Sequence, residues 1–454
     1  MAVVSCKRAA GILLLLCLAG WPGRSVWAQG RGDYSLAELA DSASRHLPGL
    51  LGKQALVGSA EAAVREAKNS YLPRVNVVEE VSVGSANDVA GPFLPAPGVL
   101  HSISGSINGS QSYQAVTGNL ASVYGEYDLV NFGLRGARVA GARAIAGEAR
   151  ADLERERYLI RWQVARVYFG ILRNRYQLEV DSADIRRYQA MYTVSRALTG
   201  NGVNPGVDSS LAKAGLSRTR INYNQAMGNL RRLCQQLAYL TGLTDPGIRM
   251  DTSSGGRLRV AALSGDTAAV NVLTEYFVRR ELRYGAEQEL ARKSYLPKVV
   301  AGAGGWARGS GDGLGYQRLN YLAGVGVVYD LFSGVHRRDR LAVLNGQIEA
   351  AGLELQQQRL SLQNQGSQAD ESIRVASRNL DELPVQLQAA ADAYQQKLAQ
   401  YKAGIVNLVE LSNASFELLQ AQTGYIEALN DWYTASLDKA ALTGNLDQFL
   451  KSIK

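Results

Sequence analysis

Cysteine is nearly absent. The 454-residue chain holds three, Cys6, Cys17 and Cys234, and only Cys234 lies beyond the N-terminal segment. One thiol cannot form an internal disulfide, so stability has to come from packing. Histidine is equally scarce. His46, His101 and His336 stand alone, and none has the H-E-x-x-H spacing of a zinc hydrolase. No G-x-S-x-G elbow is present. Gly302-Ala-Gly-Gly305 and Gly324-Val-Gly326 lack the third glycine and the following helix of a dinucleotide site. They fit strands with small residues facing a lumen. Gly309-Ser-Gly-Asp-Gly-Leu-Gly315 reads as a turn and not as an ion cradle. No catalytic constellation, metal site or cofactor site is expected, and the chain is not expected to be an enzyme.

Long apolar runs are missing as well. Past the N-terminus no stretch reaches the roughly 18 apolar residues of a membrane-spanning helix. A strong charge bias is also missing. There are 49 basic and 41 acidic residues, and removing Lys7, Arg8 and Arg24 with residues 1–28 leaves +5. That mild excess argues against a nucleic-acid partner, which would call for a basic stripe.

Residues 1–28 have the form of an export signal. Lys7 and Arg8 precede the apolar run Ala9 to Gly20, and Val26-Trp27-Ala28 offers small residues at the positions that a cut after Ala28 requires. Cys17 follows Leu16, not the small residues of a lipoprotein signal.

What the chain does have is an internal duplication. Ala67-Lys-Asn-Ser-Tyr71-Leu-Pro73-Arg-Val75 returns as Ala291-Arg-Lys-Ser-Tyr295-Leu-Pro297-Lys-Val299. Tyr127-Asp-Leu129 returns as Tyr329-Asp-Leu331, and Leu240-Thr-Gly242 as Leu442-Thr-Gly444, both shifted by 202. The Tyr-Leu-Pro pair is shifted by 224, so the first strand pair is 22 residues longer. Helices that keep their length beside a turn that does not are typical of loops on a rigid scaffold.

Each copy reads as a helix, a strand pair and long helices. Leu36, Leu39, Ala40, Ala43 and Leu47 form one helical face. Pro73 ends the helix before the first strand. Alternation predicts strands over 74–83 and 119–130 in repeat 29–242, and over 298–307 and 321–331 in repeat 267–454. Between Gly84 and Gly118 the chain reads as a long exposed loop, and 243–266 as the linker between copies. Tyr321, Ala323, Val325, Val327, Tyr329 and Leu331 make an apolar row with a tyrosine near each end. Such a row suits either a sheet edge in water or a lipid-facing barrel strand. Four strands cannot close a barrel, and an open edge is not tolerated in lipid. The strands are therefore water-exposed, or several chains share one barrel. The runs 134–198 and 336–402 are long and coiled-coil-like, with Pro384 expected to break or kink the second. Trp162 and Trp432 fall in helical runs and read as packing.

In this duplicated order the chain resembles the TolC-type outer membrane efflux proteins. The resemblance implies a mixed β-barrel and α-helical barrel. Three chains would each give four transmembrane strands to one 12-stranded barrel in outer membrane lipid, with long periplasmic coiled-coil helices below. It implies a homotrimer working with a periplasmic adaptor and an inner-membrane ABC transporter or pump. The cargo would be a protein, such as a haemolytic toxin leaving by type I secretion, or alternatively a drug or metal. The absent lipoprotein cysteine favours type I secretion. A periplasmic coiled-coil scaffold would lack the lipid-type strands.

The resemblance also places the helix–helix turns, 199–207 with Gly202 and 402–409 with Gly404, at a periplasmic tip. It matches the family's acidic constriction ring to Glu410 and Asn413, of which only Glu410 keeps the charge. It matches a tyrosine–acid latch to Tyr401 and Asp208, and it puts Val406 where the family has a locking arginine. Read without it, Glu410 and Asp208 are ordinary first-turn acids favoured by a helix dipole. Tyr127, Tyr321, Tyr329 and Trp306 are the expected membrane-interface aromatics.

Overall fold

The computed structural model describes residues 34–85, 110–201, 205–243, 271–310, 315–330 and 332–453. The expected signal 1–28, residues 86–109 of the loop between Gly84 and Gly118, the linker 243–266 beyond its first residue, Gly202 and Leu331 lie outside them. Helix α1 (Leu36–His46) opens on a capping box. The Ser35 hydroxyl accepts from the Glu38 amide at 3.3 Å, and the Glu38 carboxylate accepts from the Ser35 amide at 3.0 Å. Its apolar face Leu36, Leu39, Ala40 and Ala43 is buried as the spacing predicts. Helix α2 (Pro48–Asn69) starts on a proline, which needs no donor at that position.

The turn through Tyr71-Leu-Pro73 leads into β1 (Arg74–Gly84), and β2 (Val116–Val130) returns. The 67-residue helix α3 (Leu134–Gly200) runs away from the sheet, and α4 (Gly206–Thr241) comes back. The second copy repeats this with α5 (Val272–Ser294), β3 (Lys298–Ser310), β4 (Arg318–Val328), the 70-residue α6 (Ser333–Lys402) and α7 (Leu408–Leu442). A short α8 (Leu446–Ser452) ends it. At 1.5 Å per residue α3 and α6 are each about 100 Å long. Pro384 does not break α6. Proline removes one ladder bond at a cost of about 3 kcal/mol. The long contact between α6 and α7 on both sides of that site outweighs one defect.

The four strands form one antiparallel sheet in the order β1-β2-β3-β4. β1 and β4 are edges. Among the described residues no helix is long and apolar enough to cross a membrane.

The main core sits midway along the helices. There α1 and α8 pack on α3, on the last turns of α4 and on α7. Phe169 stacks on Tyr433 with 5.3 Å between centroids, and Phe449 meets its edge at 6.2 Å. Tyr158 donates to the Ala441 carbonyl at 2.6 Å. Trp162 donates to Asp438 at 2.8 Å, and Arg166 grips both carboxylate oxygens of the same residue. Trp162 and Trp432 pack against this core, as their helical positions suggest.

Candidate functional site: the sheet face and the helical tip

Pairing register sorts the strand residues onto two faces. One carries Val75, Val77, Val81 and Val83 with Glu79 among them, then Ala121, Val123 and Tyr127 with Asn119 before them, then Val299, Ala301 and Ala303, then Leu319, Tyr321, Val325 and Val327. These apolar side chains are open to the outside, with Val77 76% and Tyr321 91% exposed. The other face is mixed: it carries Arg74, Asn76, Glu80, Ser122, Tyr124, Glu126, Asp128, Lys298, Trp306, Arg308, Arg318 and Asn320, with Val78, Leu120 and Leu322 among them. Gly302, Gly304, Gly324 and Gly326 lie on it too, as the small-residue reading expects. The Tyr124 ring lies across two of them. A Cβ at Gly304 would fall 2.9 Å from that ring, and one at Gly302 2.6 Å from its hydroxyl.

Two interface aromatics need correction. Trp306 is not at a strand end, because β3 continues to Ser310. Its register partners are Ser122 and Asn320, so it lies on the mixed face, opposite to Tyr127 and Tyr321. Alternation decides this: 306 is an even position on a strand whose apolar residues are odd. Tyr329 follows β4, which ends at Val328, and is half exposed at the helix-side margin. Tyr127 lies on the apolar face. The Arg135 guanidinium sits 4.4 Å from its ring centroid and 5.7 Å from that of Tyr71. A cation over aromatic rings ties the start of α3 to the end of the sheet.

At the far end, α6 closes in a Schellman motif. The Ile405 amide bonds the Gln400 carbonyl at 2.9 Å and the Gly404 amide bonds Tyr401 at 3.0 Å. Gly404 takes φ +74°, where a side chain is strained. The Asn407 side chain then caps α7 by accepting from the Glu410 amide at 3.0 Å. Gly404→Ala is expected to weaken this turn by about 1 kcal/mol. Faster limited proteolysis near Ile405 than in the unaltered protein would show it, and unchanged cleavage would count against the strain.

Glu410 is half exposed and forms an ion pair with Lys397 at 2.7 Å. Asn413 lies one turn on and is exposed. The latch pair is not formed. Tyr401 is 1% exposed, packed with Met191, Tyr394, Leu408 and Leu411, and its hydroxyl has no hydrogen-bond partner. Asp208 lies in the first turn of α4, half-buried. A motif match places both residues near the tip, but side-chain rotation puts the Tyr401 hydroxyl inside the bundle. Val406 packs partly buried against the same cluster.

Sequence reasoning missed one cluster above the tip. Asp181, Asp184 and Arg187 stand at three-residue spacing on one face of α3. Asp184 is 2% exposed and accepts from the Arg187 guanidinium at 2.9 and 3.2 Å. Arg187 also reaches Gln422 of α7 at 3.3 Å, and Gln177 donates to Asp181 at 2.8 Å. Burial pushes the Asp184 carboxyl above its ordinary range, and the Arg187 charge partly offsets that. Burial raises Asp181 too, with Gln177 opposing. The signal was available: two acids and an arginine in register inside an otherwise apolar helical stripe.

A four-stranded sheet with two open edges and a mainly apolar face, set on helices about 100 Å long, fits a channel. The outer membrane efflux protein family model matches residues 39–243 and 280–445. The chain belongs to that family. It is an outer-membrane efflux channel with a large periplasmic part. A search of curated proteins finds no match. Several solved structures share the fold. The CmeC outer membrane channel of Campylobacter jejuni aligns at TM-score 0.76 and 13% identity, covering 93% of this chain and 90% of that one. The outer membrane protein VceC of Vibrio cholerae aligns at 0.74 and 16%, covering 90% and 96%. The open state of the MtrE channel of Neisseria gonorrhoeae aligns at 0.73 and 16%, covering 90% and 89%.

Proposed function

We propose that three copies of this chain form one duct, with a shared 12-stranded barrel in the outer membrane and a helical tunnel beneath it. The observation that carries this is the sheet with two open edges and one apolar face. β1 and β4 run in opposite directions, so β4 of one chain can pair antiparallel with β1 of the next. Three chains then close the sheet, and closure satisfies every backbone group that lipid cannot. The turn at Gly404, with Glu410 and Asn413, is the periplasmic tip in this reading, where an adaptor and an inner-membrane transporter would dock. Lys397 offsets the Glu410 charge, so any constriction ring is weaker than one of bare carboxylates. The full-length protein in detergent is expected to sediment as a trimer. A monodisperse monomer would sink the shared barrel.

For cargo we favour type I secretion of a protein, driven by an ABC transporter. The support is the N-terminal segment, where Cys17 lacks a lipoprotein context. The second reading, a drug or metal pump, draws on the family's efflux character. Deleting the gene separates them. Loss of one large protein from the medium supports secretion. Increased drug or metal sensitivity with unchanged secreted protein supports the pump.

A further inference from the structure

We infer that the junction between the strands and the long helices is a docking collar for anionic phospholipid headgroups of the leaflet that faces the periplasm. The collar deepens the three-chain barrel proposed above and rests on it.

Helices α3 and α6 begin at matching places in the two copies, just after β2 and β4. Both start bare. Gly133 and Phe332 stand at their N-caps, neither helix has a side-chain cap, and neither has an acid in its first turn. Ser35, Asn271 and Asn407 cap α1, α5 and α7. Open amides and the positive end of a long dipole therefore sit at the sheet margin in both copies. Arginines follow at once. In α3 Arg135 and Arg138 come before the first acid, Glu148. In α6 Arg337, Arg338 and Arg340 surround a single acid, Asp339. Arg135 is taken up by the rings of Tyr71 and Tyr127. The other four arginines are exposed and, among the described residues, in no ion pair.

Lys68 at the end of α2 and Arg292 at the end of α5 add two exposed bases at the same level. The acids there are fewer and partly used. Glu289 pairs with Lys293 at 3.5 Å, and Asp330 accepts from the Phe332 amide at 3.0 Å. Glu66 and Asp339 remain, against six exposed bases. Arg74 and Lys298, which open β1 and β3, lie on the mixed face of the sheet, where Glu126 and Asp128 balance them. The unbalanced charge thus belongs to the helix starts and ends.

The same level is also apolar. Phe332 is 80% exposed, Val335 69% and Leu72 68%, and Phe132 and Tyr71 are half exposed. A dissolved anion would use the charge and leave these side chains in water. A lipid surface uses both, because rings and aliphatic groups enter the acyl boundary while arginines reach up to phosphate. A second copy does not neutralise the collar. With β4 of one chain beside β1 of the next, Lys68 and Arg74 of that neighbour approach the start of α6, which sets like charge on like. Basic clusters beside a membrane-spanning segment attract anionic leaflets. Holding the starts of α3 and α6 to phosphates in all three chains would fix the height of the duct in the membrane.

The test places the full-length trimer in phosphatidylcholine nanodiscs with a trace of spin-labelled phosphatidylglycerol or spin-labelled phosphatidylcholine. The motionally restricted fraction measures which lipid the protein retains. The unaltered protein is expected to prefer the anionic lipid by on the order of threefold. Arg337→Gln/Arg338→Gln/Arg340→Gln should bring that ratio close to one. Arg359→Gln/Arg378→Gln, on the same helix but far from the sheet, should leave it unchanged. Equal loss in both variants would reduce the effect to net charge and overturn the collar. Sodium chloride at about 0.5 M should abolish the preference of the unaltered protein by screening. That arm gives the reading if the triple variant does not assemble, and a preference that survives it overturns the collar. Inorganic phosphate at matched ionic strength should add nothing to the effect of salt; displacement by phosphate alone would mark a free-anion site and overturn the lipid assignment. Unaltered protein that inserts without preference overturns the collar and leaves the barrel standing. Unaltered protein that does not insert overturns both.

Discussion

Val325→Arg is expected to abolish the membrane-inserted assembly. Val325 is on the apolar face, paired with Ala301, and 67% exposed in the single chain. In the barrel that exposure is to hydrocarbon. An arginine facing lipid near the midplane costs about 2–4 kcal/mol per site, and a trimer carries three, so the total is on the order of 6–12 kcal/mol. That exceeds a large part of the stability of most folds. The neighbouring substitution Gly324→Arg is the control. Gly324 is on the mixed face, and a Cβ there meets nothing within 4 Å. Its side chain would enter water, so trimers should still form. Heat-sensitive trimer bands from isolated outer membranes read both outcomes. Equal loss at the two positions would mean that the faces are not lipid and lumen.

Much of this architecture is legible in the residues because the chain says it twice. Tyr71-Leu-Pro73 and Tyr295-Leu-Pro297 mark both passages from helix to strand, and proline after an extended residue enforces each turn. Alternation then puts most of the valines of β1 and β4 on one face, with Glu79 the exception on β1. The misses share one physical cause. Trp306 was placed by its distance along the strand, although the face is decided by parity against the pairing register. Pro384 is expected to break or kink α6, and the helix runs through it unbroken, held by packing along its length. Tyr401 and Asp208 were matched as a latch from chain order, which carries no information about side-chain rotation. The Asp181, Asp184 and Arg187 cluster was overlooked because its residues look solvent-exposed singly. Only burial by α7 makes them a unit.

Arg187→Met should be the most damaging change in the helical part. Asp184 is almost fully buried, and Arg187 is its charged partner. Removing one member of a buried pair strands the other charge and costs about 3–5 kcal/mol. The loss should depend on pH in a definite direction. Burial already holds the Asp184 carboxyl above its ordinary value, with Arg187 pulling the other way. Without Arg187 the folded-state pKa rises further above that of the unfolded chain. A carboxyl shifted upward contributes its stability below the unfolded pKa and loses it as pH rises through the folded pKa. The deficit of Arg187→Met should therefore be full at neutral pH and shrink on acidification, as Asp184 takes a proton. Asp184→Asn in the same chain removes the stranded charge and should restore most of the loss at neutral pH. Thermal loss of helical circular dichroism, followed at several pH values for the single and double variants, measures this. A deficit that grows toward acid, or a double variant no more stable than Arg187→Met, would show that the pair is not what holds α3 to α7 here.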